Sequence, residues 1–222
     1  MYRLALLLSL GFSTFSAQAA AIEPLWLKTI AHMQELKKWV AQDMDIVAEV
    51  SKGNDPSKTV TSKSHLNGWK DKQAEYDTIQ LAPPADPNKP KSNKEPAAVT
   101  MMNAIDNMQA SIFDPENFPK RLDNQNLDGQ SWTLFQFEQA QLGQKMAVKV
   151  WIDASTGCVY RMESQFHVSM YVDGSIHTQF DNAESNHCFP KQIDAKIDIL
   201  IPFKNGKMNL QQSPRNWILR PV

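Results

Sequence analysis

Cysteine and glycine are scarce in this 222-residue chain, which has two of the former and eight of the latter. It contains no G-x-S-x-G elbow, no H-E-x-x-H pair and no glycine-rich phosphate loop, so the usual signatures of a hydrolase, a zincin or a nucleotide enzyme are missing. The absence of C-x-x-C removes the common redox dithiol. Positive charge is not in surplus, with 23 Lys and Arg against 24 Asp and Glu, which argues against a nucleic-acid partner. These gaps lead us to expect a protein that is not an enzyme and needs no cofactor or metal.

What is present begins with "MYRLALLLSLGFSTFSAQAAA", where Arg3 precedes an apolar run from Leu4 to about Phe12 and then small residues. This reads as a signal peptide over 1–19, with Ala17-Gln18-Ala19 as the cleavage signal and Ala19-x-Ala21 as the neighbouring option. The run is shorter than the ~20 apolar residues a membrane anchor needs, so a spanning segment is not expected. Removing residues 1–19 takes away Arg3 and leaves 22 basic against 24 acidic side chains. The expected product is a periplasmic protein with one domain over 20–222.

Residues 22 to about 47 place Ile22, Leu25, Trp26, Ile30, Met33, Leu36, Val40, Met44 and Val47 at three- and four-residue steps, which predicts an amphipathic helix with Pro24 in its first turn. It serves either as a ligand lid or as ordinary core packing. A hairpin is expected over 60–81 with its turn at "KDK". "LAPPADPNKPKSNKEP" predicts a mobile proline-rich loop at about 82–96, and Met101, Met102, Ile105, Met108 and Ile112 predict a second helix over 97–112.

From Ser131 the apolar period falls to two in "SWTLFQFEQAQ", "KMAVKVWID" and "QIDAKIDILIPF", the pattern of antiparallel strands with one apolar and one polar face. Turns are expected at "DASTG", "VDG" and "KNG". Taking Val172, Asp173 and Gly174 as a bulged hairpin loop pairs Tyr171 with Ser175 and sets Phe166 opposite Phe180, Val168 opposite Thr178 and Met170 opposite Ile176. The same register puts His167 with Gln179 and Ser169 with His177, and carried further it brings Cys158 opposite Cys188, predicting a disulfide. An Asn205-Gly206 turn sets Phe203 opposite Met208 and Ile201 opposite Leu210. His167, His177 and His187 could approach one another as zinc ligands, although scattered surface histidines are the plainer reading. Asp194 and Asp198 alternate with the apolar positions of their strand, as on a solvated face.

Over residues 127–217, "LDGQSWTLFQF", "WIDASTG", "VYRMESQFHVSMYVDGSIHTQF" and "FKNGKMNLQQSPRNW" follow one another in an order that resembles the periplasmic lipoprotein-carrier superfamily, the LolA-like and LolB-like half-barrels. The proline-rich insertion and the Cys158/Cys188 pair depart from the minimal pattern, and no arginine here matches the one that senses lipid loading in that family. The resemblance implies an α+β fold, a curved antiparallel sheet covered by amphipathic helices, enclosing an apolar cavity for acyl chains.

The functional expectation is a hydrophobic ligand, lipid or lipoprotein acyl chain, held on the concave side of the sheet by a carrier or sensor. Its lining would be Trp26, Ile30, Met33, Val148, Val150, Phe166, Val168, Met170 and Ile199, residues that would equally build a closed core. The alternative is an envelope-assembly or inhibitor protein with a filled core, meeting a protein partner through an edge strand or the proline-rich loop.

Overall fold

The computed structural model describes residues 23–53, 55–70, 73–84, 112–141, 144–168, 171–181, 187–200 and 205–221. One helix, α1 (Pro24–Leu36), leads into β1 (Trp39–Lys52), β2 (Lys58–Lys70), β3 (Gln73–Ala82), β4 (Lys120–Leu127), β5 (Gln130–Gln141), β6 (Gln144–Ile152), β7 (Val159–Val168), β8 (Val172–Asp181), β9 (Phe189–Ile199) and β10 (Gly206–Leu219). All ten strands form one open antiparallel sheet in the order β3-β2-β1-β10-β9-β8-β7-β6-β5-β4. From β4 to β10 each strand pairs with its successor. The sheet is then extended by β1, which pairs with β10 from Trp39–Leu219 to Lys52–Gly206.

The first helix is shorter than the three- and four-residue steps suggest. Glu23 caps it by accepting a hydrogen bond from Trp26 N at 2.9 Å, and Arg121 of β4 ion-pairs with the same carboxylate. It ends at Leu36, where Lys37 N and Lys38 N bond back to Gln34 O and Glu35 O. Residues 39–47 are strand, not helix, because Met44, Ile46, Ala48 and Val50 also repeat at two, and pairing with both β2 and β10 satisfies their backbone groups. The 60–81 hairpin is present as β2 and β3, closing at the Lys70–Gln73 pair. The signal peptide, the proline-rich stretch beyond Pro84, and the helix expected over 97–112, apart from Ile112, lie outside the described residues.

Two hairpin registers differ from expectation. Val168 pairs with Val172 and Phe166 with Gly174, so Asp173-Gly174 is inside β8, beyond the Val168–Val172 pair, and Tyr171 N donates to Val168 O at 3.0 Å. Gly174 is needed as a gap, because a Cβ there would run into the Phe166 ring. Thr178 accordingly faces Met162 and Ile176 faces Ser164, while His177 is opposite Glu163 and Gln179 opposite Arg161. At the last hairpin Gly206 pairs with Ile199, Met208 with Ile197 and Leu210 with Ala195, which displaces the Phe203–Met208 and Ile201–Leu210 pairs. Both slips are even, so each side chain keeps its expected face.

The Cys158–Cys188 disulfide is formed, with Cα atoms 5.7 Å apart. It joins the residues just before β7 and β9, two strands separated by β8, and so lies outside the β7–β8 ladder that predicted it.

The "DASTG" turn between β6 and β7 is where α1 docks. Lys28 Nζ donates to Ser155 O at 2.9 Å, Thr29 Oγ1 to Gly157 O at 3.0 Å, and His32 Nε2 lies 3.0 Å from Thr156 O. Gly157 has φ of 78°, and a Cβ on it would come within 2.9 Å of the Lys28 stem, so both conformation and space call for glycine. Asp153 organises the turn by accepting from Ser155 Oγ at 2.7 Å and Ser155 N at 2.8 Å. Burial pushes the Asp153 carboxyl up, but the Ser155 and Thr156 hydrogen bonds outweigh it and hold the group below its usual 3.8. A carboxylate depressed in the folded state stabilises above its unfolded pKa and loses that contribution as the proton returns. Asp153→Ala should therefore cost about 1 kcal/mol near neutral pH. The gap to wild type, read from urea midpoints, should close as pH falls below 3.8. A gap that stayed constant down to pH ~2 would mean the carboxylate charge is not what holds the turn.

Candidate functional site

Register alone defines the two faces. One rung crosses eight strands as Phe137, Val148, Ser164, Ile176, Ala195, Leu210, Ala48 and Val60. The next runs Phe135, Val150, Met162, Thr178, Ile193, Gln212 and Ile46. This is the apolar face, and α1 covers one end of it. Trp26, fully buried, packs on Phe113, Phe135 and Phe137 with ring centroids 5.4, 5.2 and 6.4 Å away.

The side chains on this face gather into two clusters. The first contains Trp26, Ile30, Val148, Val150, Met162 and Phe180, with Met33 packed against it. The second contains Ala48, Ile176, Ile193, Ala195 and Leu210, with Ile46 and Phe166 against it. Farther out, the apolar side chains of Val50, Val60 and Leu81 are 43, 38 and 38 % exposed, and no described helix lies over β1–β3.

Of the expected lining residues, Trp26, Ile30, Met33, Val148 and Val150 are thus together beneath α1. Phe166 belongs with the second cluster. Val168 and Ile199, both half-buried, flank Val172 on the adjoining rung of the same face. Met170 lies outside the described residues. Sequence periodicity missed Ile46, which falls inside the helix expected over 22 to about 47, and Ala48 and Val50 just beyond it; their strict two-residue spacing was the available signal. It also missed Ser164, the hydroxyl that interrupts the first rung.

The opposite face is polar and carries an open groove of about 640 Å³ between Glu49, Arg161, His177, Asp194, Lys196 and Asn209. Its charges are largely paired. Arg161 meets Glu163 at 2.7 Å, with His177 at 3.7 Å from the same carboxylate, and Asp194 accepts from Gln192 at 2.7 Å. Asp198 lies 3.9 Å from Lys207. The three histidines considered as zinc ligands do not converge: His167 pairs with Asp173, His177 with Glu163, and His187 packs against Trp39 and Phe189. On β1, hydrogen bonds from His65 and Asn216 lower the Asp43 carboxyl below its usual value. The His177–Glu163, Lys207–Asp198, His167–Asp173 and Asp43 contacts link neighbouring strands, while Arg161–Glu163 and Gln192–Asp194 each lie within one strand.

An open antiparallel sheet with one apolar face and a helix docked on it is the class these observations define. Among solved structures, the chain is similar to a LolA superfamily protein, NE2245, from Nitrosomonas europaea, at 12 % identity over 88 % of this chain and 94 % of that one, with a TM-score of 0.39. It is also similar to a DUF1329 family protein from Desulfovibrio piger, at 12 % identity over 88 % of this chain and 91 % of that one, TM-score 0.38. A third is lipovitellin, in a structure describing its lipid–protein interactions, at 11 % identity over 83 % of this chain but 26 % of that one, TM-score 0.29. No family model and no curated protein matches the sequence.

Proposed function

We propose that this protein binds a hydrophobic ligand, a lipid or acyl chain, on the apolar face of its sheet, and acts as a carrier or sensor outside the cytoplasm. The observation that carries this reading is the length of the apolar face. It runs from β5 across to β2, well beyond the footprint of α1, and ends in Val50, Val60 and Leu81 at 38–43 % exposure. Contiguous apolar surface beyond a few hundred Å² is seldom left to water without a binding role. Val148, Val150, Trp26, Ile30 and Met33 form the closed end, and Phe166, Val168 and Ile199 line the approach to it. Compartment is inferred from the signal-like leader and from the Cys158–Cys188 bond, a linkage that persists where the surroundings are oxidising. Among the described residues no helix is long and apolar enough to cross a membrane.

The test is native mass spectrometry of protein purified from a periplasm, with organic extraction of bound material. Copurified lipid is expected in the wild type. Val168→Glu should reduce it at least ~10-fold, since a carboxylate placed against a chain must be desolvated, while circular dichroism stays that of the wild type. A clean apo mass, with no uptake of a fluorescent fatty acid, would overturn the reading and redirect attention to the open edges at β3 and β4 as protein-pairing surfaces.

A further inference from the structure

Among the described residues the apolar face carries buried polar side chains, Thr178 and Gln212 among them, and Ser164 is one whose hydroxyl is unpaired. Ser164 stands in the middle of the rung that runs from Phe137 to Val60, between Val148 and Ile176 across the sheet and between Met162 and Phe166 along β7. It is 1 % exposed, and its Oγ has no hydrogen-bond partner. A buried hydroxyl without a partner costs roughly 1–3 kcal/mol, and alanine of nearly the same shape would avoid the cost. The position is also the border between the two apolar clusters, Val148 belonging to the first and Ile176 to the second.

A second unpaired donor lies under α1, at the end of the face that the helix covers. Trp26 Nε1 is buried without an acceptor, although buried indole N–H groups usually find one. The Trp26 ring packs on Phe137, which lies two strands from Ser164 on the same rung. The orphan hydroxyl, set among Val148, Met162, Phe166 and Ile176, describes the place for an oxygen acceptor on an apolar chain.

Building on the hydrophobic-ligand reading above, we infer that the ligand is an acyl compound whose carboxyl or ester oxygen accepts a hydrogen bond from Ser164. The hydrocarbon tail then lies along the rungs toward Val50 and Val60. A plain alkane leaves the hydroxyl unpaired. Ser164 therefore sets which chain is preferred, and the same hydroxyl lowers the stability of the empty protein.

The experiment compares palmitic acid, methyl palmitate and the alkane of equal length as competitors of an apolar fluorescent probe on the mature protein. Wild type should bind the acid and the ester about 3–10-fold more tightly than the alkane, the worth of one net hydrogen bond. Ser164→Ala should erase that preference while raising the melting temperature of the ligand-free protein, and Ser164→Thr should keep the preference. A tighter hold on the acid alone would point to free fatty acids, whereas equal affinity for the ester would point to lipid acyl esters; either supports the assignment. Equal affinity for all three compounds in wild type and Ser164→Ala would overturn the Ser164 assignment and leave apolar binding intact. No binding of any of the three would overturn the hydrophobic-ligand reading itself, and the Ser164 assignment with it.

Discussion

Replacing Trp26 with alanine is expected to cost about 3–5 kcal/mol, the usual penalty for emptying a buried aromatic site. The side chain is 0 % exposed and is held among Phe113, Phe135 and Phe137, so the surrounding rings, anchored on different segments, can collapse only in part. The surface polar ties of α1 are weak by comparison. The Glu23–Arg121 pair and the Lys28 and His32 contacts lie at the surface, where each contributes about 0–1 kcal/mol. A domain of this size has only about 5–15 kcal/mol in hand, so the variant should be close to unfolding at growth temperature. Urea denaturation followed by tryptophan fluorescence and by far-ultraviolet circular dichroism measures the loss. Trp26→Phe, which keeps a ring in the stack and removes the unpaired N–H, should lose much less. A cost under ~1 kcal/mol for the alanine variant would mean that α1 is not part of the cooperative core.

Removing the disulfide should have an effect of similar size. Cys158 and Cys188 are separated by 30 residues, and releasing a loop of that length is worth about 3–4 kcal/mol in the chain-entropy account. The Cys158→Ala/Cys188→Ala double variant should fall by that amount in urea, and wild type should fall equally once a phosphine reductant has opened the bond. The double variant should not respond to the reductant. If fully reduced wild type, verified by thiol titration, unfolds at the oxidised midpoint, the bond contributes nothing to stability. The loop it closes contains β7 and β8, the strands that carry Ser164 and Ile176, so reduction should also loosen the middle of the apolar face.

The faces of the sheet were legible in the sequence because side-chain alternation has a period of two and survives any even slip in register. Phe166, Val168 and Ile176 therefore share a face both on the expected pairing and on the one found, even though no pair between them is the same. The registers were not legible. Asp173-Gly174 carries the local chemistry of a turn, but the glycine is used where the Phe166 ring needs room, a demand that appears only when two strands are side by side. Strand β1 was hidden for a related reason. Leu36, Val40, Met44 and Val47 fit a helical stripe while Met44, Ile46, Ala48 and Val50 fit a strand. The choice is made by β10, whose partners, such as Leu210 for Ala48, are distant in sequence. The disulfide was foreseen for a reason that did not hold: the two cysteines meet at the starts of β7 and β9 and not across the hairpin that suggested them. Ser164 left a trace, a polar residue in the apolar phase between Met162 and Phe166, but only the rung built from eight strands shows it surrounded by hydrocarbon.

The docking of α1 on the β6–β7 turn is made to main-chain carbonyls, those of Ser155, Thr156 and Gly157. The helix thus reads the path of the backbone and is indifferent to the side chain at residue 154, whereas Thr156 also braces the turn by accepting from Cys158 N through its Oγ1. Relatives could exchange the side chain at 154 freely, but one residue inserted or deleted there would carry every carbonyl out of reach of Lys28, Thr29 and His32. In a lineage of such proteins the length of this turn should be held more strictly than its spelling, and an engineer wishing to move the helix without touching the apolar face would change the number of residues between Asp153 and Cys158.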